Sequence, residues 1–523
     1  MKQTMKHQSL LSGIKSLGIM LSLGLALASC TKDDVAQTTA TSNEEENKNL
    51  TTFVAGGEIK TRTSMDYNSG DFSWEAGDYI YVKDDDGVLQ KSSNAPTGKV
   101  ASFKYKVPGK FTTSSSYKVY YFGKNSSNNQ VVIPSAQSQS TPNNTEHFGV
   151  SGDYGTATAK KVTGKNQFVF ELEHQAVYLV FHPYVSNTLL QKCYLTKIEV
   201  SSDNNIASTY TLNASTGTLQ SVSTGAEADK EIILSTKGSG AYANGFPLNT
   251  ASDNVAVNGA YMVIKPGTHT LKVRYWLKDV STGIEGTVTK AFKAFNYDVN
   301  NYYDIDGNLN IRDYDGDHYY MWDAQEQYWK GHEWWSANKD QPVLNDKSNG
   351  NYPQSEADSR WYHEGNRSDR FDATQSCATL PNVNEMTWYA AKGDPSWDAD
   401  ELWTTMGHLY KGGMWFKKKA YINGYNSNTA VDGTDWRTTT SGEIWYTSQT
   451  LPSAADAGNY FFLPTLGYYR SAQLYFVGAT GGYWSSSAYP EGINGAYSMD
   501  FDRGSVGVHG FDSDLGNRVG GFE

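Results

Sequence analysis

Cysteine is scarce in this 523-residue sequence, which contains only three. Two of them, Cys193 and Cys377, lie far apart, so the sequence predicts no disulfide framework, and each domain must be stabilised by its own core. Positive charge is also limited. The 44 Lys and Arg stand against 56 Asp and Glu, and the net charge of −12 disfavours nucleic acid or an anionic membrane surface as a partner. Beyond the first thirty residues, no apolar run reaches transmembrane length.

The motifs of the common catalytic sites are missing as well. His332-Glu333 lacks the second His of a zinc protease motif, and the sequence has neither a Gly-rich phosphate loop nor a Gly-x-Ser-x-Gly elbow. A lone Cys such as Cys377 is more often buried packing than a nucleophile. We therefore expect no enzymatic activity, no catalytic residue and no cofactor.

Two acidic turns are candidates for a metal site. They are Asp304-x-Asp306-Gly307-Asn308 and Asp313-x-Asp315-Gly316-Asp317. Calcium prefers clustered oxygen ligands, and alternate acidic side chains around a Gly can supply them. Neither turn matches an EF-hand, because Leu309 and His318 stand where the loop requires Gly. Asp-Gly is also a common turn, so we favour a polar interdomain linker and assign no metal.

The first thirty residues have the layout of an export signal. Three Lys residues precede an apolar stretch, Leu17 to Ala28, that is too short to span a bilayer. The segment Leu27-Ala28-Ser29-Cys30 resembles the lipobox of bacterial lipoproteins, which implies removal of residues 1–29 and a lipid anchor on Cys30. The alternative is an ordinary secretory signal with a chance Cys. Residues 30–49 predict a solvated tether, whose acidic run resembles a signal for the outer face of the outer membrane.

Tryptophan marks a domain boundary, because only two of the fourteen precede residue 300. Before that point, short alternating stretches between Gly, Asn, Ser and Pro predict β-sandwiches. The clearest stretches are Tyr79 to Val82, Tyr117 to Phe122, Phe168 to Leu172, Val177 to Phe181 and Leu271 to Leu277. A region of about 260 residues is long for one sandwich, so we predict two, over residues 50–165 and 166–308.

Residues 309–523 have the pattern of an α+β domain. Asn382 and Glu385 form a capping-box arrangement that predicts a helix, and Gly393 is its expected end. Asp398 with Glu401 predicts the start of a second helix. Strands are predicted again at Phe461 to Leu463, Tyr483-Trp484, Tyr497 to Phe501 and Val506 to Val508. The fold class is thus multidomain, with two all-β sandwiches followed by an α+β domain.

Several motifs follow one another in the sandwich region. They are Thr61-Arg62-Thr63, Phe72-x-Trp74-x-x-Gly77-Asp78-x-Ile80-x-Val82, Phe170-x-Leu172-x-His174-x-x-Val177, Ile198-x-Val200, Tyr210-Thr211-Leu212, Thr216-Gly217, Met262-Val263-Ile264-x-Pro266 and Leu271-x-Val273-x-Tyr275. In this order, behind a lipobox, they resemble the fimbrillin-like family of type V pilus subunits. The resemblance implies partnership with other pilin subunits by donor-strand addition, after cleavage at Arg62 has removed the strand formed by Phe53 to Ile59. We interpret Trp74 and His174 as core residues without a chemical role.

A second series of motifs spans roughly residues 375 to 521. It contains Leu380-Pro381-Asn382-x-Asn384-Glu385-x-x-Trp388-Tyr389, Leu463-Pro464-x-x-Gly467-Tyr468, Gly482-Tyr483-Trp484-Ser485-Ser486-Ser487, Ala496-Tyr497 and Gly516-x-Arg518-Val519. The series resembles the C-type-lectin-like fold, in the branch of the bacterial major paralogous (FISUMP) domains and the variable proteins of diversity-generating retroelements. The motifs of calcium-dependent sugar-binding members are missing, and formylglycine-generating relatives need paired Cys. The tail, Gly520 to Glu523, departs from the basic and apolar end expected of the fold.

The candidate ligand-binding site is a hairpin near the C-terminus. Tyr497, Met499, Phe501, Val506 and Val508 alternate with polar residues around a turn at Asp502-Arg503-Gly504, so the polar set is expected to face solvent. The resemblance implies that this end of the fold contacts the ligand. The candidate residues are Ser498, Asp500, Asp502, Ser505, His509, Phe511, Asp512 and Asp514. An ordinary solvated hairpin is the alternative.

The predicted function is that of a cell-surface adhesin, the tip subunit of a type V-like pilus on the outer membrane. Its expected partners are other pilin subunits, the membrane through the lipid, and a host or bacterial surface glycan or protein. An alternative is a surface lipoprotein that captures glycan as a nutrient outside any pilus. An enzyme of the formylglycine-generating type is a third reading, against which the Cys count argues.

Overall fold

The computed structural model describes residues 6–9, 50–56, 64–68, 72–125, 130–213, 216, 219–222, 227–348, 350–364, 370–492 and 494–523. The predicted lipidation site Cys30, its tether and the predicted cleavage site Arg62 lie outside these residues. Across the described ranges, no helix is both long and apolar enough to cross a membrane.

Strands dominate the chain. In order they are β1 (Lys6–Ser9), β2 (Leu50–Ala55), β3 (Ser64–Met65), β4 (Phe72–Ser73), β5 (Tyr81–Lys83), β6 (Leu89–Lys91), β7 (Phe103–Pro108), β8 (Ser116–Tyr121), β9 (Gln130–Ile133), β10 (Ala136–Ser138), β11 (Gly155–Lys161), β12 (Gln167–Phe170), β13 (Glu173–His174), β14 (Val177–Tyr184), β15 (Cys193–Ser202), β16 (Ser208–Leu212), β17 (Leu219–Ser221), β18 (Glu231–Ser235), β19 (Phe246–Pro247), β20 (Ala260–Ile264), β21 (Gly267–Asp279), β22 (Glu285–Tyr297), β23 (Asn301–Asn308), β24 (Tyr319–Tyr320), β25 (Ser396–Thr405), β26 (His408–Lys417), β27 (Glu443–Tyr446), β28 (Tyr460–Pro464), β29 (Tyr468–Arg470), β30 (Gln473–Tyr475), β31 (Gly481–Ala488), β32 (Gly495–Phe501), β33 (Ser505–Asp512) and β34 (Asn517–Arg518). The α-helices are α1 (Val255–Asn258) and α2 (Val383–Lys392). Short 3-10 helices lie at Phe148–Val150, Leu190–Lys192, Glu227–Lys230, Gly240–Tyr242, Lys419–Tyr421 and Ala457–Asn459. The expectation of a strand-rich, multi-sheet chain is confirmed.

The first sheet has eight strands, in the order β6-β5-β8-β11-β12-β2-β7 with β13 beside β11. Its residues alternate between the core and solvent. In β2, Phe53 and Ala55 are buried while the residues between them are partly exposed. Trp74 is fully buried in the core of this sheet, and His174 is buried as well. Their predicted roles in core packing are therefore confirmed.

Two further sheets share the largest core of the molecule. One has the order β1-β23-β14-β20, and the other begins with β10-β18-β15-β21-β22. Every residue of β20 is buried, which is the pattern of a strand covered on both faces. The sheets meet directly at the rings of Phe181 and Tyr275, which pack edge to face with centroids 6.0 Å apart.

The chain crosses between these sheets more than once. Strands β9 and β10 precede residue 165 but pair with β16 and β18, whereas β12 and β13 follow it and belong to the first sheet. A single division near residue 165 therefore does not coincide with the strand pairing. Composition along the chain cannot reveal such exchanges, because pairing joins segments that are distant in sequence.

The first acidic turn is not a linker, so that prediction is wrong for residues 304–308. These residues belong to β23, which pairs in parallel with β14. Asp304 is buried, and its Oδ1 lies 2.8 Å from His182 Nε2 and accepts a hydrogen bond from the hydroxyl of Tyr67. In the second turn, Asp313 accepts a hydrogen bond from the Thr404 hydroxyl. Within the described ranges, no group of three or more His, Cys, Asp and Glu could hold a metal ion.

The C-terminal part contains a six-stranded sheet with the order β24-β34-β31-β32-β33-β27. Helix α2 packs against this sheet and begins at the predicted capping box. The Asn382 side chain accepts a hydrogen bond from the Glu385 N–H, and the Glu385 carboxylate accepts one from the Asn382 N–H. The helix ends at Gly393, whose N–H donates to Tyr389 O. This helix is confirmed from its first residue to its last.

The second predicted helix is wrong. Residues 396–405 form β25, which pairs with β26 and, at Glu401, with Thr287 of β22. Asp398 and Glu401, whose spacing suggests a helix start, instead bind residues of the sandwich. A nine-stranded sheet therefore extends from the second sandwich into the C-terminal part, and the single pair of Thr287 and Glu401 joins its two halves.

The last residues of the chain are folded into the C-terminal part. Strand β34 lies between β24 and β31. Phe522 packs against the rings of Tyr389, Phe461 and Tyr483, with centroids 5.5 to 6.2 Å apart. The Tyr389 hydroxyl donates to the backbone oxygen of Glu523 at 3.0 Å. The unexpected tail thus completes the apolar core.

Candidate functional site

The predicted hairpin forms as the sequence indicates. Strands β32 and β33 pair antiparallel, with Phe501 opposite Val506 at the turn. Asp502 holds that turn, because its Oδ1 accepts hydrogen bonds from the N–H groups of Gly504 and Ser505 at 2.8 and 3.0 Å. A carboxylate that binds its own backbone two residues onward is a common means of fixing a turn. Asp502 therefore has a structural role beside the predicted binding one.

One face of the hairpin is buried, as predicted from the alternation. Its members are Tyr497, Met499, Phe501, Val506 and Val508, none more than 1% exposed. The opposite face carries Ser498, Asp500, Gly507, His509 and Phe511, which occupy the alternate positions of the same two strands.

The prediction that Ser498 faces solvent is wrong. Ser498 is fully buried; its hydroxyl donates to Tyr483 O and accepts from the Asn517 side chain. A second, smaller cluster, which includes Trp322 and Trp484, covers this end of the face. The alternating polar residues therefore predict correctly which side chains share the second face. They do not predict that the cluster around Trp484 covers part of that face.

The same cluster contains Cys377, which is fully buried. Burial raises the pKa of this thiol to about 12. A thiol with so high a pKa stays protonated at neutral pH and is a poor nucleophile. The interpretation of Cys377 as a packing residue agrees with this environment.

Asp500 and His509 form a pair on the half of the face nearer the turn. His509 Nε2 lies 3.2 Å from Asp500 Oδ1, and about one third of each side chain is exposed. Burial raises the pKa of the Asp500 carboxyl, and the nearby charge of His509 opposes that shift. Gly507 lies between them. A Cβ at this position would come within 2.7 Å of the His509 ring and 3.0 Å of Asp500 Oδ1.

Strand β27 extends this face beyond the predicted residues. It pairs with the outer edge of β33, which places Ile444 opposite Gly507 and Tyr446 opposite Ser505. Directly opposed residues of an antiparallel pair share a face. Ile444 is 60% exposed and Tyr446 is 92% exposed. Sequence reasoning missed both, because β27 precedes the hairpin by some fifty residues; the only local signal is the apolar content of Glu443 to Tyr446.

The other predicted residues lie toward the opposite end of β33. The Phe511 ring is 4.7 Å from that of His509, and Asp512 lies 3.6 Å from Arg470. Burial and the charge of Asp512 raise the pKa of Asp514. Nearby, β29 and β30 present Tyr468 and Tyr475, whose stacked rings are 5.7 Å apart. Burial raises the pKa of Tyr468.

We define the hairpin surface as Ile444, Tyr446, Asp500, Ser505 and His509. It combines exposed apolar and aromatic side chains with a carboxylate, a hydroxyl and an imidazole. Aromatic groups with polar edges are suited to sugars and to protein surfaces, and a few oriented polar groups supply specificity. These groups together can contact a sugar or a protein surface.

No protein family model and no curated protein sequence matches this chain. Solved structures do show similarity to about half of it. A candidate cell adhesion protein from Bacteroides ovatus has 13% identity and a TM-score of 0.29 over 49% of this chain and 91% of its own. A fimbrial assembly protein from Parabacteroides distasonis has 14% identity and a TM-score of 0.22 over 49% and 89%. The fimbrial anchor protein Mfa2 from Porphyromonas gingivalis has 12% identity and a TM-score of 0.22 over 46% and 82%. Since these identities and scores are low, the function of this chain must be argued from its own residues.

Proposed function

We propose that this chain is a surface adhesin that ends a type V-like pilus and binds a glycan or protein through the hairpin surface. The observation that carries the proposal is that residues 309–523, which follow the second sandwich, are folded and paired with it. Phe522 and Glu523 are held by Tyr389, and β34 is an inner strand of its sheet. Because the segment that follows the second sandwich is folded, it is not a free strand that could enter a neighbour's groove.

The first sheet provides the complementary feature, a strand whose removal would open a groove. Strand β2 lies between β12, to which it is parallel, and β7, to which it is antiparallel. Phe53 of β2 is fully buried, with its ring about 5 Å from those of Phe111 and Phe168. Loss of β2 would expose two strand edges and an apolar slot, which is the geometry that accepts an added strand.

A subunit that accepts a strand from a neighbour but donates none can lie only at the end of a fibre. The chain would accept the strand of one subunit through the groove left by β2 and present the hairpin surface to the surroundings. The lipid predicted on Cys30 would hold the protein at the outer membrane until cleavage at Arg62 released it into the pilus. Both residues lie outside the described ranges, so these steps rest on the sequence.

Immunogold labelling tests the position in the fibre. Antibody against residues 309–523 is expected to label fibre ends, since only a terminal subunit can lack a donor strand. Label distributed along the shaft would contradict the proposal. Label on the cell surface with no fibres would favour the alternative, a glycan-capturing lipoprotein.

Substitutions on the hairpin surface test the binding role. Tyr446→Ala combined with Asp500→Asn is expected to abolish binding on glycan and protein arrays with little change in melting temperature, because Tyr446 is exposed and Asp500 is one third exposed. Tyr421→Ala is the matched control, since Tyr421 is 54% exposed and lies outside the hairpin surface. Unchanged binding by the double variant would place the ligand elsewhere.

A further inference from the structure

The junction between the second sandwich and the C-terminal part is built from buried charged groups. Arg274 of β21 lies 3.0 Å from Asp398 of β25, and both side chains are less than one tenth exposed. The same guanidinium donates to the Thr287 hydroxyl, and the Trp415 indole donates to Asp398 Oδ2. Since paired buried charges hold their partners in a fixed geometry, the two units meet through a defined contact.

A cavity of about 220 Å³ opens beside this contact. Lys272, Arg274 and Thr289 line it from the sandwich, and Trp415, Lys418 and Tyr460 line it from the C-terminal part. Drug-sized pockets are larger, at roughly 300–1,000 Å³, so this one suits a single ring or a group of similar size.

Positive charge predominates in the cavity. Lys272, Arg274 and Lys418 face one carboxylate, Asp398, which is already bound to Arg274 and Trp415. Lys418 forms an ion pair with the Glu523 carboxylate at 3.4 Å and donates to Gly458 O at 3.4 Å.

Donor groups in the cavity remain available. Lys272 donates one hydrogen bond, to Pro452 O at 2.8 Å, and an ammonium group has three donors. Arg274 is only 8% exposed, and its buried Nε–H has no acceptor. This nitrogen has almost no exposed surface, so the Lys272 ammonium is the donor within reach of a bound group. The available partners are all donors, so the ligand should provide oxygens and negative charge.

We propose that this cavity binds a small organic carboxylate carried on a ring, such as an acidic monosaccharide. The carboxylate would lie against Lys272 and Arg274, and the ring against Trp415 and Tyr460. Charge-assisted hydrogen bonds to a desolvated carboxylate are strong, and aromatic walls suit the apolar face of a sugar. The site is separate from the hairpin surface, and it does not depend on membership of a pilus.

Two sources could present this carboxylate: an acidic sugar and the C-terminus of a peptide. Isothermal titration of the full chain with glucuronate, N-acetylneuraminate and glucose, and with a dipeptide in free-acid and amidated forms, distinguishes them. At least one acid is expected to bind saturably and at least tenfold more tightly than its neutral counterpart. Binding by the sugars identifies the first source, and binding by the free-acid dipeptide alone identifies the second. Equal binding of acid and neutral forms, or no saturable binding, would overturn the proposal.

Two substitutions connect binding to the cavity. Lys272→Met and Lys418→Met each remove one lining cation and should weaken the binding at least tenfold. Arg503→Met removes an exposed cation at the hairpin turn and should leave it unchanged. If Lys272→Met does not fold, Lys418→Met decides the matter, because its side chain is one third exposed. Full binding of the acid by the folded Lys variants would refute the assignment. Variants of the hairpin surface should still bind the acid.

Discussion

At the scale of single residues, the pair formed by Asp500 and His509 depends on the absence of a side chain at position 507. Gly507→Ala would bring a methyl group within 2.7 Å of the His509 ring and 3.0 Å of Asp500 Oδ1. We expect the pair to separate and ligand binding on the array to fall, while the buried face of the hairpin stays intact.

Gly504→Ala is the control for that substitution. Its Cβ would meet only Asp502 Oδ1, at an ordinary 3.7 Å. Array binding should therefore be unchanged, and NMR signals of His509 should shift in the Gly507 variant only. Equal effects of both variants would indicate that the hairpin as a whole, and not the pair, governs binding.

A second residue-scale prediction concerns pH and the junction. Burial and the neighbouring charge of Asp398 raise the pKa of Glu401 to about 7. Because the folded state then binds the proton more tightly than the unfolded state does, this group's contribution to stability is greatest at low pH. It declines as pH rises from about 4.5 to 7 and is flat above that range.

The comparison of wild type with Glu401→Gln isolates this effect from other titrating groups. The neutral amide can still accept from the Thr289 N–H, as Glu401 does at 3.0 Å. From pH 4.5 to 7.5, we expect the wild type to lose on the order of 1–3 kcal/mol of unfolding free energy relative to the variant. Parallel pH profiles in urea unfolding would show that Glu401 does not titrate in this range.

At the scale of elements, the cap of α2 should be the most sensitive point of that helix. Asn382→Ala removes the acceptor for the Glu385 N–H and a bond to Ser427 O. A loss of about 0.5–2 kcal/mol is expected in chemical unfolding. Asn428→Ala, at an exposed position, should stay within about 0.5 kcal/mol of wild type. A neutral Asn382 variant would mean that tertiary packing alone holds the helix.

The central place of β2 leads to the other prediction at this scale. Cleavage after Arg62, with release of the preceding segment, should remove β2. This should expose the slot between β12 and β7 in which Phe53 lies. The cut protein is expected to bind a synthetic peptide of alternating apolar residues, with a large rise in melting temperature, and the intact protein is not. Arg62→Ala, which blocks cleavage, supplies the control. No peptide binding by the cut protein would exclude the groove as an acceptor.

At the scale of the whole molecule, the predicted lipid anchor on Cys30 can be tested by substitution. Cys30→Ala should abolish acyl labelling and release the protein from the membrane fraction, because two or more acyl chains are what make such anchoring stable. Continued labelling would refute the lipid assignment. Purified protein should give the same melting temperature with either residue at position 30, since residues 31–49 are predicted to be a solvated tether.

The sequence by itself determined the local features of this protein. Helix α2 was predictable from Asn382, Glu385 and Gly393, because caps act within one turn of backbone. The hairpin and its buried face were predictable from the alternation of residues, since side chains in a strand change sides at every step. The predicted export signal is likewise based on contiguous residues, and it stays a prediction.

Only the tertiary structure decided which segments meet. Asp398 and Glu401 have the spacing of a helix start, yet they lie in β25, where Arg274 and Thr289 bind them across more than a hundred residues. Ser498 has the position of a surface residue but is covered by the cluster around Trp484, and Tyr446 joins the site from a separate strand. Local patterns record the preferences of the backbone. Burial and long-range pairing depend on the free energy of the whole chain, so these contacts could not be read from any one segment.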